Sequence, residues 1–218
     1  MRYKEIVEYK IDNTSSDKID QYSQEKQFGK GVEAKVYRDP SNPSVVKILS
    51  TSDSLKDNGY MQYILFSRKY ANQNPYFPRI HSIEQNKNPD GTTTFVVKME
   101  QLFPVSSLSK KQLFSIHKNT FINGDRHVIS SKDDMLISLG DEFDVATDPS
   151  WGWSASKVSL DPNFIDACNL IRKIKNRTNS QYDLGTPNIM VRRSNYGFQL
   201  VITDPLSPKE ENNVWRPY

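Results

Sequence analysis

The segment Tyr182 to Val191, YDLGTPNIMV, sets an aspartate and an asparagine, Asp183 and Asn188, in D-x-x-x-x-N spacing. After a short polar turn, the apolar run Leu200 to Ile202 leads through Thr203 to a second carboxylate, Asp204. A positioned aspartate can take the proton of a hydroxyl nucleophile. A side-chain amide and a carboxylate are hard oxygen donors, the kind magnesium accepts when most of its shell is phosphate and water. Together they would serve phosphoryl transfer from a nucleoside triphosphate. The same Asp, Asn, Gly and Pro content also builds ordinary turns, so the reading depends on what else points the same way.

Two features upstream do. Gly29-x-Gly31-x-x-Ala34-x-Val36 places small residues where backbone amides could approach phosphates closely. The plain alternative is a hairpin turn. The stretch lies between two strand-like runs and opens no helix, which argues against a dinucleotide-binding loop. Lys47, between Val46 and Ile48, sits in a β-rich run one hairpin later. A lysine among β-branched residues ordinarily faces solvent; its position one hairpin after the glycine loop raises the alternative that it binds the α- and β-phosphates.

These groups need elements to hold them. Lys26 to Leu49 reads as strand, turn, strand, with the turn at Asp39 to Pro43. An imperfect helical pattern over residues 55–73 is interrupted by Gly59 and stopped by Asn74-Pro75. Phe77 to Ile83 and Thr92 to Met99, joined by a turn at Asn88 to Gly91, form a second hairpin that ends in Met99-Glu100-Gln101-Leu102. Residues 1–25 are polar and read as a lead-in, loop-like at Asn13 to Asp17. Ser106 to Asn119 suits a short helix, whereas Gly124 to Trp153 is polar and turn-rich, and no element is assigned to it. Asp161-Pro162 is a helix start with a capping carboxylate and proline at the first helical position. Phe164, Ile165, Cys168, Ile171 and Ile174 follow at helical spacing, and this helix delivers the chain to Asp183.

Composition narrows the classes. The 218 residues are 36% hydrophobic and 25% charged with a formal charge of +3, so the chain should fold, and no charge run demands nucleic acid or an anionic membrane. The lone cysteine, Cys168, excludes an internal disulfide and reads as a buried inert thiol. The charged start and the absence of an apolar stretch of about 18 residues predict a soluble, unexported protein. His81, His117 and His127 lack metal-ligand spacing, and no G-x-S-x-G elbow supports serine hydrolysis. Trp151 and Trp153 suit either a partner-binding face or a loop anchor.

In order and approximate spacing, the glycine loop, Lys47, a helix, a hairpin and then Asp183, Asn188 and Asp204 resemble a protein kinase. More specifically, residues 164–173, the Asp183 to Met190 run and Ile202 to Ser207 resemble the early serine/threonine kinases of podovirus-type tailed bacteriophages, over roughly residues 25–207. The resemblance implies an α+β, protein kinase-like fold of two lobes. A lead-in (1–25) would precede an antiparallel small lobe with one helix (26–103) and a reduced, mainly helical large lobe (104–218).

It also implies ATP and Mg²⁺ as cofactors, bacterial host proteins as substrates or targets, and action in the host cytoplasm. Gly29, Gly31, Ala34 and Val36 would cover the nucleotide, Glu100 and Leu102 would meet it at the hinge, and Lys47 would anchor its phosphates. Asp183 would be the base, while Asn188 and Asp204 would hold magnesium.

Departures from that pattern qualify it. Tyr182 and Gly185 stand where many kinases place Arg and Lys, and Pro205-Leu206 follows Asp204. No Glu lies between Leu55 and Asn74, so the ion partner of Lys47 is expected to be missing or replaced by Asp57 or Gln62. Only 14 residues follow Asp204, which predicts a minimal large lobe and no appended domain. A catalytically silent kinase-like module that binds a host protein is the alternative. Small-molecule phosphotransfer of the aminoglycoside-kinase type ranks third.

Overall fold

The computed structural model describes residues 11–30, 34–39, 43–122, 131–148, 155–195 and 197–209, with only the backbone for 28–30. The fold is mixed α+β. One sheet carries the strands β1 (Asp12–Asn13), β2 (Gln27–Lys30), β3 (Ala34–Arg38), β4 (Ser44–Thr51), β5 (Ile80–Lys87) and β6 (Thr93–Glu100). Their spatial order is β1-β5-β6-β4-β3-β2, antiparallel except for the short parallel β1–β5 contact.

Side-chain alternation gives this sheet two different faces. Val46 and Val96 point to one side, where helix α1 (Ser16–Ser23) covers them with Tyr22 and the partly buried Ile19. The expected loop at Asn13 to Asp17 is therefore a strand end and a capped helix, with Ser15 Oγ accepting from Lys18 N–H. Leu49, Phe95 and Val97 point to the other side, against Tyr60, Met61, Ile64 and Leu65 of α2 (Gly59–Tyr70). Gly59 does not interrupt this helix but begins it, behind the capping Asn58. Glycine is required there, because a Cβ would overlap Ser180 Oγ and lie 2.8 Å from Ser180 Cβ.

The remaining chain builds a second core. After β7 (Phe103–Pro104) come α3 (Lys110–Thr120), α4 (Lys132–Thr147), α5 (Ala155–Val158) and α6 (Pro162–Lys175). Next are β8 (Ser180–Tyr182), β9 (Ile189–Ser194), β10 (Gly197–Ile202) and β11 (Leu206–Pro208). Strands β9 and β10 form a hairpin flanked by β7, and β8 pairs with β11. Phe164, Leu170 and Ile171 of α6 pack there with Leu139 and Phe143 of α4 and with Val191 and Ile202. Tyr63 and Tyr70 of α2 join this core, so α2 is shared by both.

Helix α4 lies in the stretch to which the sequence reading assigned no element. Ser131 and Asp134 close a reciprocal capping box, and Met135, Leu139, Phe143 and Ala146 form its buried stripe. It ends without a basic residue of its own, and Arg172 of α6 donates instead to the carbonyls of Thr147 and Ala146. Burial and the neighbouring charges of Asp141 and Asp148 push the Asp144 carboxyl above its ordinary value. A carboxyl raised in the folded state penalises folding once ionised, and the penalty vanishes below the unfolded value. Asp144→Asn should therefore stabilise at neutral pH and have no effect in acid. The gain should stay below about 1 kcal/mol, because the group is partly exposed and screened. Thermal denaturation at the two pH values tests this, and an equal gain at both would contradict it.

Candidate active site

Two turns bring the predicted chemistry together. Asp183 and Asn188 lie between β8 and β9, and Asp204 lies between β10 and β11. Pairing of β8 with β11 sets Tyr182 opposite Leu206, and pairing of β9 with β10 sets Ile189 opposite Ile202. The turns are laced across this frame. Asp183 N–H donates to the Pro205 carbonyl at 3.0 Å, and Thr203 donates to the Asn188 carbonyl through both N–H (2.8 Å) and Oγ1 (3.0 Å). Asn188 Nδ2 donates to the Asp183 carbonyl at 2.9 Å, which leaves its Oδ1 for an acceptor role. Leu184 is buried beneath and anchors the first turn, while Asp183 is exposed.

Lys47 reaches this cluster from the sheet. Val36 pairs with both Gly29 and Lys47, and Lys47 also pairs with Val97, so all four residues lie on the face that α2 covers. Lys47 is thus turned away from the solvent face that its β-branched neighbours suggested. Its ammonium forms an ion pair with Asp204 Oδ2. It also lies 3.8 Å from the centre of the Tyr60 ring. The lysine side chain is 12% exposed and that of Asp204 31%.

Neither replacement suggested for the missing glutamate is at Lys47. Asp57 accepts from Ser54 Oγ, and Gln62 Nε2 donates to the Leu55 carbonyl. The α2 side chain that does lie against the Lys47 ammonium is Tyr60, which sequence reasoning passed over because a tyrosine carries no formal charge. Helical spacing held the signal, since Tyr60 precedes Ile64 by one turn on the face α2 turns to the sheet.

The other expected nucleotide contacts fare differently. Gly29 lies in β2 and faces Val36, whereas Gly31, Trp151, Trp153 and His127 lie outside the described residues. Ala34 is partly buried against the α2 side of the sheet. Glu100 has its carboxylate fully engaged, by Arg192 Nε at 2.8 Å, by Arg192 Nη2 and by Arg79 N–H at 2.8 Å. Its main-chain N–H is engaged as well, donating to the Arg79 carbonyl at 3.0 Å. Leu102 is half-buried just before β7. His117 is buried beside Ser138 Oγ, and burial pushes the Cys168 thiol up to about 12, the inert state expected of it.

Asp183, Asp204 and Lys47 carry a summed charge of −1 on two carboxylates and one ammonium. Burial raises the Asp204 carboxyl above its ordinary value and Asp183 adds to this, while Lys47 opposes both. Among the described residues no group of three His, Cys, Asp or Glu side chains could hold a metal. A magnesium on Asn188 and Asp204 would therefore draw the rest of its shell from phosphates and water. Among the described residues no helix is long and apolar enough to cross a membrane. Compared with known proteins, the chain matches no family model and no curated sequence.

Proposed function

We propose that this chain is an ATP- and magnesium-dependent serine/threonine protein kinase of phage origin that phosphorylates bacterial proteins in the host cytoplasm. The observation that carries the reading is the lacing of the Asp183–Asn188 turn to the Asp204 turn, with Lys47 reaching Asp204 from the sheet. The order β2-β3-β4-β6-β5, with α2 inserted between β4 and β5, supports it, since the small lobe of protein kinases has this arrangement. So does the passage from α6 through β8 into the Asp183 turn.

In this reading the sheet face with Gly29, Val36 and Lys47 covers the nucleotide, and Lys47 holds the α- and β-phosphates. Magnesium, when bound, neutralises charge on the phosphates. Asn188 and Asp204 would hold it, and Asp183 would orient the substrate hydroxyl and take its proton. The hydroxyl oxygen forms its bond to the γ-phosphorus as the bond to the bridging oxygen breaks, and ADP leaves with that electron pair. Little covalent chemistry is asked of the protein, so alignment and charge supply most of the rate.

The absence of an acid on α2 favours a second reading, a silent module that binds a host protein. Labelled ATP, magnesium and bacterial lysate separate the two, with Asp204→Ala as the control for contaminating activity. Binding is checked independently. ATP should raise the melting temperature by several degrees at saturating ligand, more with magnesium than in EDTA, and the magnesium-dependent part of the shift should shrink in Lys47→Ala and Asp204→Ala. No shift in the wild type, and no heat of binding, would sink the nucleotide site.

A further inference from the structure

Lys47 has two neighbours of different kinds. One is the carboxylate of Asp204, a group that magnesium would claim in the reading above. The other is the face of Tyr60, 3.8 Å from the ammonium. A cation over an aromatic face is held by the ring quadrupole, more strongly where water is excluded. Tyr60 is itself 7% exposed, and Lys47 is nearly as enclosed. The ring is fixed from below by its place in the α2 core with Met61, Ile64 and Leu65.

The hydroxyl of Tyr60 is buried and has no hydrogen-bond partner among the described residues. A buried donor left unmade is costly, so no hydrogen bond accounts for the seat of this side chain. What the ring does touch is the ammonium.

We infer that Tyr60 is a positioning residue for Lys47, holding the ammonium over its ring when a metal ion takes Asp204, in place of an acidic side chain on α2. The inference rests on the kinase reading, since it needs Lys47 to act on phosphate beside a metal. It separates two states. Without magnesium, Asp204 alone can hold Lys47. With magnesium, that carboxylate is occupied and the ring is the neighbour that remains.

The test is ATP binding by calorimetry, in EDTA and in magnesium, for the wild type, Tyr60→Phe and Tyr60→Leu. In EDTA the three proteins should agree within about twofold. In magnesium, Tyr60→Leu should bind about tenfold more weakly, the size of a partly desolvated cation–π contact. Tyr60→Phe keeps the ring and should stay within about threefold of the wild type, melting no lower because it loses only an unpaired hydroxyl. Equal weakening of Tyr60→Leu with and without magnesium would mark a packing role and overturn the inference. Weakening of Tyr60→Phe to match Tyr60→Leu would assign the effect to the hydroxyl and overturn it too, as would no weakening in either. If Tyr60→Leu does not fold, Tyr60→Met, whose unbranched chain adapts to irregular core space without a ring, takes its place with the same expectations. A wild type that binds no ATP in either buffer rejects the kinase reading itself and this inference with it.

Discussion

Asp183→Asn should lower phosphoryl transfer by roughly 10² to 10⁴, the usual share of a positioned general base, while magnesium-dependent ATP binding stays within a few-fold of the wild type. The two effects separate because of how the residue is held. Its N–H is bonded to Pro205 and its carbonyl to Asn188, both through main-chain atoms that the substitution leaves alone. The side chain is exposed, so an amide of the same shape disturbs no packing. What disappears is the proton acceptor. Single-turnover transfer of labelled phosphate, with calorimetry of ATP on the same preparations, measures both quantities. Equal transfer by wild type and variant would remove Asp183 from the mechanism, and loss of binding alongside transfer would make it a structural residue of the turn.

Glu100→Ala should cost about 3 kcal/mol of stability, read from the midpoint of chemical denaturation. Glu100 ends β6 and Arg192 lies in β9, so their fork-shaped pairing ties the sheet to the β9–β10 hairpin. The same guanidinium donates to the carbonyls of Pro75 and Phe77, each at 3.0 Å. With the two side chains 13% and 12% exposed, water cannot readily replace the carboxylate once it is removed. If the single variant is as stable as the wild type, the pair is a surface contact of small worth.

Where local chemistry settles structure, the sequence could be read. Asp161 caps α6 as its spacing with Pro162 implied, accepting from Asn163 N–H at 2.9 Å. The turn between β5 and β6 closes where Asn88 to Gly91 indicated, with Gly91 at positive φ. Asp183 and Asn188 were legible from their D-x-x-x-x-N spacing and Asp204 from its place just after an apolar strand, and the pairing of β8 with β11 and β9 with β10 converts that pattern into proximity. Helix α1 was not legible, since its buried contacts, Ile19 and Tyr22 against Val46 and Val96, depend on strands far along the chain. Helix α4 was legible and passed over, because Gly140 and clustered acids mask its capping box and four-residue apolar spacing. The meeting of Tyr60 with Lys47 arises only when α2 crosses the sheet, a tertiary event that no local window contains.

The contact between Gly59 and Ser180 has an evolutionary consequence. Ser180 Oγ accepts from Gly59 N–H at 3.1 Å and opens the strand that ends just before Asp183, so this crossing sets how α2 sits on the segment carrying the base. Alanine at 59 would conflict with serine at 180, and alanine at 180 would not relieve it, since the Cβ atom that lies 2.8 Å away would remain. Substitution at these two positions is therefore ordered. A lineage can acquire a side chain at 59 only after glycine has appeared at 180, and related chains should show the two positions covarying, with glycine always at one of them.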